Sequence, residues 1–271
     1  MALILSDAHT HLDQFDEVEI PEILSRMLEA QVGLVIVAGV TKESSAKCVD
    51  LSMQHPEVYA GIGIHPMDMT GPLDESSYVE LRALALSSPK VVCISEVGLD
   101  FAVGSVSREV QIQAFRQHIR MACELRLPII FHSRESPGHP EDHYETLRVL
   151  REEGAGVVGG AMHYFQWDEA LASACLNMGF HVSLGKPLLR SPNLQKVVQG
   201  IPMDRILLET DTYPQHFKRN RNRWTEPKDV RIVAECLAQI KQISLEKVAA
   251  HTTGNLLRLL GDRVTLPDNR D

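Results

Sequence analysis

The sequence predicts a single-domain α/β protein, a closed (β/α)8 or TIM barrel spanning residues 1–271. Three observations carry that expectation. Eight short β-rich runs alternate with longer amphipathic stretches from one end to the other. The separations are of helix length, and a parallel connection needs a dozen or more residues, so the strands pair in parallel. The length of 271 residues suits one barrel of roughly 250 residues. A doubly wound open sheet is the competing arrangement, but no linker, low-complexity tract or composition break divides the chain.

Taken in order, the strands fall at 4–8, 34–38, 59–64, 92–97, 129–132, 158–163, 181–184 and 206–209. Amphipathic segments lie between them at 21–30, 43–54, 75–87, 107–125, 141–151, 168–177 and 193–199. Two more follow the last strand, at 227–241 and 245–260. The longest shows its helical period directly, with Ile112, Phe115, Ile119, Ala122 and Leu125 spaced by three and four.

Composition narrows the class. An apolar fraction of 44% with 23% charged residues allows a large core and excludes disorder, collagen and coiled coil. No run of 18 uncharged apolar residues exists, and M-A-L-I-L-S-D-A-H has neither a basic leader nor a small-residue cleavage site, so no membrane partner and a cytoplasmic location are expected. Five cysteines are an odd number without a C-x-x-C pair, and are expected to be reduced core residues. The 27 Lys and Arg against 36 Asp and Glu leave a formal charge of −9, so any phosphate-binding site must be local. No obligatory protein partner is evident.

The side chains that bind metals cluster where strands end. His9 and His11 close the first strand, His65 follows the third, Glu96 ends the fourth, and His132, His163 and Asp211 end the fifth, sixth and eighth. In a barrel those ends form one rim, on which active sites of this architecture are assembled. The spacing of His9 and His11 aims both imidazoles to one side of a strand, because side chains alternate with period two. An H-x-H pair alone is commonly a polar edge. Joined by a carboxylate and histidines on other strands, it would leave several buried polar groups without partners unless they share a ligand. Imidazole and carboxylate together suit Zn²⁺, Mn²⁺ or Fe²⁺. Glu96 is placed to bridge two divalent ions, one taking His9 and His11 and the other His132 and His163. Asp211 is left to bind a metal, orient the attacking water, or both, and nearby cations would keep it an anion.

Lesser candidates follow. Glu209 shares a strand face with Asp211 and reads as a supporting ion pair. His65 in G-I-H-P is a substrate or third-metal candidate, and Arg134 in F-H-S-R can reach an anion. Lys218, Arg219, Arg221 and Arg223 form a basic cluster after the eighth strand that overlooks the same rim and can gather phosphates. Tyr164, Phe165, Trp167, Tyr213 and Trp224 flank the ligands or this loop and are either core or base-stacking residues. His55, His118, His139, His143, His181, His216 and His251 are read as surface or helix residues.

These residues stand in segments that resemble the TatD family of metal-dependent deoxyribonucleases, among the amidohydrolase-like barrels. The segments are D-A-H-T-H-L-D at 7–13, G-I-H-P at 63–66, S-E-V-G-L-D-F at 95–101, L-P-I-I-F-H-S-R at 127–134, A-M-H-Y-F at 161–165, L-L-E-T-D at 207–211 and T-T-G-N at 252–255. They cover nearly the whole chain in order. The resemblance implies two divalent ions (Zn, Mn or Mg) with His9, His11, Glu96, His132, His163 and Asp211 at the ligand positions. It also implies hydrolysis of DNA phosphodiester bonds. The chain departs from the family pattern in three places. Tyr164-Phe165-Gln166-Trp167 stands where Cys-Phe-Thr/Ser-Gly is usual, residues 136–143 form a longer, His-rich loop, and T-Y-P follows where Ser/Ala-Pro-Tyr/Phe is common.

The expectation is therefore a metal-dependent hydrolase, a DNase-like phosphodiesterase with Asp211 and Glu96 as catalytic residues, acting on DNA or another phosphodiester. Candidate substrate contacts are His65, Arg134, Lys218, Arg219 and Arg221. The alternative is an amidohydrolase-type enzyme cleaving an amide, lactone or ester with the same metals. The basic loop, and a glutamate rather than a lysine at the strand-four bridging position, favour the phosphodiesterase. A non-catalytic binding protein on the same barrel is the third possibility, and it predicts a poor metal shell.

Overall fold

Eight strands form one sheet in sequence order, every neighbouring pair parallel: β1 (Leu5–Thr10), β2 (Val32–Ala38), β3 (Val58–Ile62), β4 (Val91–Asp100), β5 (Ile129–Arg134), β6 (Gly160–Met162), β7 (His181–Leu184) and β8 (Ile206–Leu208). The ring closes just past β8, where Thr10 bridges Thr212 in parallel. There His11 N donates to Thr212 O at 2.7 Å and Asp211 N to His9 O at 3.0 Å. This is a TIM barrel, seen in a computed structural model that describes residues 3–264 apart from 103 and 105.

Helices α1 (Ile20–Glu29), α2 (Lys42–Gln54), α3 (Glu75–Ser87), α4 (Arg108–Leu125), α5 (Asp142–Glu152), α6 (Glu169–Asn177) and α7 (Pro192–Gly200) connect the strands, and α8 (Val230–Lys241) and α9 (Leu245–Leu260) follow β8. Their starts are written locally. Thr41, Asp74, Ser107, Asp168, Ser191 and Ser244 each accept a hydrogen bond from the backbone three residues on, satisfying a donor that the helix itself leaves open.

The β2 run V-G-L-V-I-V-A is apolar throughout because it is covered on both faces. Val35 and Val37 join the large cluster with α1 and α4 residues such as Ile23, Met27 and Phe115. Leu34 and Ile36, of opposite parity, join Tyr59, Val92, Ile130, Ala161 and Leu207 in a second cluster plugged by Leu256, Leu260 and Val264. Ile130 shares a strand face with His132, so this second cluster lies inside the barrel, beneath the histidine rim.

Two boundaries differ from the sequence expectation in ways that matter. Glu96 does not end the fourth strand, because β4 runs on to Asp100. Gly98 makes this possible: with φ at +148°, a Cβ there would stand 2.0 Å from His132 O, so only glycine lets β4 continue against β5. The predicted helix 227–241 begins as a 3-10 turn at Pro227–Asp229 before α8. Among the described residues no helix is long and apolar enough to cross a membrane.

Candidate metal centre

Each barrel strand that carries a candidate residue delivers it to the same mouth, a cavity of about 880 Å³. Glu96 stands in the centre, nearly fully buried on the inward face of β4, after a cis Ser95–Glu96 peptide. Its two oxygens face different partners. Oε2 lies 3.4 Å from His9 Nε2 and 3.4 Å from His11 Nε2. Oε1 lies 3.1 Å from His132 Nδ1, 3.5 Å from His163 Nε2 and 3.5 Å from His65 Nε2. Asp211 closes the ring, with Oδ1 3.4 Å from His11 Nε2 and 4.0 Å from His163 Nε2. Its φ of +52° follows from the sharp turn that leaves β8, a conformation aspartate tolerates.

The far side of most of these rings is held as well. His11 Nδ1 faces Ala38 O at 3.0 Å, His132 Nε2 faces Asp100 Oδ2 at 3.0 Å, and His163 Nδ1 is 3.0 Å from Glu209 Oε1. Acceptors in those positions fix which nitrogen carries hydrogen, so His11 and His163 offer Nε2, and His132 offers Nδ1, toward Glu96. Glu209, fully buried, also accepts from Tyr164 N at 2.6 Å, which ties the β6 and β8 ends together.

Charge in the mouth is strongly coupled. Burial would raise the Glu96 carboxyl, yet His65, His163, His11 and His132 bring it well below its ordinary range. Against the same burial, a hydrogen bond with His11 and the charge of His163 lower Asp211 to about 2. Burial works against protonated His163 as well, but Glu209 and Glu96 push it up to about 9. His65, where burial dominates, falls to about 4. Without another cation, protons on some imidazoles balance the carboxylates. The donor set fits divalent cations in their place: buried and half-buried imidazole and carboxylate atoms within 4.8 Å of one another form the groups His9–Glu96–His163, His9–His11–Asp211 and His65–Asp100–His132.

The other predicted contacts divide. Arg134 lines the cavity, mostly exposed, 3.9 Å from Asp100 Oδ2. The basic loop lies outside that cavity, where Lys218, Arg219, Asn220 and Arg223 line a cleft of their own. Within it Arg221 is already engaged: it pairs with Glu226 at 3.0 Å and Glu19 at 3.2 Å and lies over Trp224 at 4.6 Å. Of the aromatic residues, Phe165 is core and Trp224 packs on Phe15 and His216, whereas Tyr164, Trp167 and Tyr213 line the mouth. The five cysteines are free, three of them buried.

Sequence reasoning missed one carboxylate, Asp100, and the burial of three histidines, His118, His143 and His181. Asp100 was visible in principle, since 96, 98 and 100 share one face of a strand, but the strand was ended too early. His143 is a helix residue as expected, but at the start of α5 it is buried and faces Ser133 Oγ at 2.9 Å and Glu135 Oε2 at 2.8 Å. His181 is a buried strand residue whose Nδ1 faces Gly160 O at 3.2 Å. His118 is indeed helical but buried, and accepts from Ile64 N at 3.3 Å.

With this geometry in hand, comparison with known proteins is specific. The profile of the family described as TatD related DNase matches residues 6–261. The uncharacterized metal-dependent hydrolase YabD of Bacillus subtilis is 34% identical over an alignment of 263 positions that covers 94% of this chain and 98% of that protein. Deoxyribonuclease TATDN3 of Homo sapiens is 32% identical over an alignment of 272 positions that covers 94% of each chain. Among solved structures, the hydrolase TatD family protein from Entamoeba histolytica shares the fold with a TM-score of 0.83 at 22% identity, over 96% of this chain and 99% of that one.

Proposed function

This chain belongs to the TatD-related DNase family and is a metal-dependent hydrolase, and from that premise we propose that it cleaves DNA phosphodiester bonds at the Glu96 mouth with two divalent cations, Zn, Mn or Mg. The observation that carries the reading is the division of Glu96, whose Oε2 faces His9 and His11 while Oε1 faces His132 and His163. One cation would take His9, His11 and Asp211 with Oε2, and the other His132 and His163 with Oε1. Such a pair, when bound, lowers the pKa of water and neutralises charge developing on a phosphoryl group.

The chain's own residues supply the rest. Asp211, an anion at neutral pH, accepts or steers the proton of the attacking water at Oδ1. Asp100 and Glu209 hold the rings of His132 and His163 in their orientations. His65 is uncharged at neutral pH and presents Nε2 to the cavity as a substrate contact. Arg134 reaches the phosphate, while Lys218 and Arg219 contact the substrate beyond the mouth. Arg221 is omitted from that set because its guanidinium is engaged by Glu19 and Glu226. A cytoplasmic location belongs to the same proposal.

The test is an assay of single-stranded and nicked oligonucleotides beside a panel of amides and lactones, after chelation and with defined metals. Oligonucleotide cleavage that is lost on chelation and regained with Mn²⁺, Zn²⁺ or Mg²⁺ is expected. Turnover of an amide or lactone with intact DNA would overturn the DNA reading.

A further inference from the structure

We propose that a single DNA strand leaves the Glu96 mouth over the ring of Tyr164 and runs along a cationic edge formed by Arg190, Arg219 and Arg223, with Tyr164 stacking on a base. The inference rests on the DNase reading, and adds to it a path, one contact absent from the sequence expectation (Arg190) and the choice of Tyr164 among the aromatic candidates as the ring that stacks.

The need for such an edge comes from the mouth itself. Among the described residues its lining includes Asp68, Glu96, Asp100, Glu135 and Asp211 but only one lysine or arginine, Arg134. Phosphates beyond the scissile one are therefore held elsewhere. Most arginines cannot help, being paired: Arg26 with Glu226, Arg82 with Glu124, Arg108 with Asp142, and Arg116 and Arg120 with Glu153. Among the described residues, six guanidinium groups have neither a hydrogen bond nor an ion pair: Arg126, Arg151, Arg190, Arg205, Arg219 and Arg223. Three of these stand where helices return to strands: Arg126 caps α4 before β5, Arg151 is in the last turn of α5, and Arg205 precedes β8. That end of the barrel is opposite the mouth. The other three lie in the loops that leave β7 and β8 at the mouth end.

Tyr164 links these loops to the mouth. It takes a left-handed φ of +52°, with its amide held by Glu209 at 2.6 Å. The ring lies against Gly185, where a Cβ would approach to 3.3 Å, so the absence of a side chain at 185 leaves room for it. The segment Lys186–Leu189 follows directly and ends on exposed Arg190. Hydrogen bonds tie the two loops together: Lys186 Nζ donates to Thr225 Oγ1 at 3.0 Å, Thr225 N to Gln215 Oε1 at 3.0 Å, and Lys218 Nζ to the same Gln215 oxygen at 2.6 Å. Beyond Lys218 the cleft of Arg219, Asn220 and Arg223 continues the line. One partly exposed ring followed by a row of cations matches one strand, whose bases are free to stack and whose phosphates draw counter-charge.

The experiment measures fluorescence anisotropy of a labelled, phosphorothioate-linked single-stranded oligonucleotide with the Mn²⁺-loaded protein across a salt series. Replacing Arg190, Arg219 and Arg223 together by Ala should weaken binding roughly tenfold or more and flatten the log–log salt slope by about 2. The matched triple replacement of Arg126, Arg151 and Arg205 changes net charge equally and should do neither. Tyr164→Ala should weaken binding about tenfold with the slope kept, and Tyr164→Phe should restore it. Equal behaviour of the two arginine triples, or duplex bound more tightly than single strand, overturns the proposal. If DNA is cleaved but the variants bind like wild type, the path fails and the DNase reading stands. If the binding pattern appears without any DNA hydrolysis, the DNase reading fails and the path stands.

Discussion

The mouth and the edge beside it are built on opposite principles. At the mouth, buried and half-buried imidazoles and carboxylates stand within a few ångströms of one another, and each group faces at least one of complementary charge. At the edge, exposed guanidinium groups have no partner and act through a field that salt screens. Loss of a single atom at the mouth should therefore break the chemistry, whereas loss of a whole side chain at the edge should only weaken attraction. The sharpest way to break this contrast is Glu96→Gln, which removes the charge both imidazole sets share. Turnover should fall on the order of 10³- to 10⁴-fold, and Asp211→Asn should fall on the order of 10²- to 10⁴-fold. Steady-state hydrolysis of a labelled oligonucleotide measures both, and wild-type rates in either variant would remove the residue from its role.

One layer out, the effect should shrink. Glu209→Gln keeps the shape and the bond to Tyr164 N but drops the charge beside His163 Nδ1. Metal affinity should fall roughly 10- to 100-fold, as read by competition with a chromophoric chelator. Unaltered affinity would reduce Glu209 to a tie between loops.

The same charges make a pH prediction for the metal-free protein. His163 has a folded-state pKa of about 9, above the ordinary 6.5. Its stabilisation is fully present below about pH 6.5 and is lost as the pH rises through about 9. Raised His11 and His132 act in the same direction. The melting temperature of chelated protein should thus drop by roughly 5 °C between pH 6.5 and 9. Metal-loaded protein should stay flat there, since cations replace the protons. A flat profile for the chelated form would contradict the coupling among these groups.

The two regions also differed in how far the sequence revealed them. Strand period and barrel topology are strong constraints, so seeing His9, His11, His132, His163 and Asp211 at strand ends was enough to expect them at one rim. Asp100 was lost because Gly98, which reads as a turn signal, is here the residue that lets β4 pass close to β5. The burial of His143 was not legible because nothing local marks a helix-start histidine as facing Ser133 and Glu135, which lie outside its helix. The basic loop was legible as composition but not as geometry: four cations in six positions gave no sign that Arg221 turns inward while Arg219 and Arg223 stay free.

That last distinction supplies the mildest prediction. Arg221 is half-buried, pairs with Glu19 and Glu226, and lies over Trp224 at 4.6 Å and Phe15 at 5.4 Å. Removing it costs packing and cation–π attraction, but it does not strand Glu226, which keeps Arg26 at 2.8 Å and Lys228 at 3.1 Å. The loss should therefore be about 1 kcal/mol rather than the larger penalty of a buried charge left alone. Arg221→Ala should lower the melting temperature by about 2–4 °C, and Arg223→Ala by less than about 1 °C. Oligonucleotide affinity should rank the other way, with Arg223→Ala weaker than Arg221→Ala. Matching shifts in both measurements would mean that the loop acts as one undivided cationic patch.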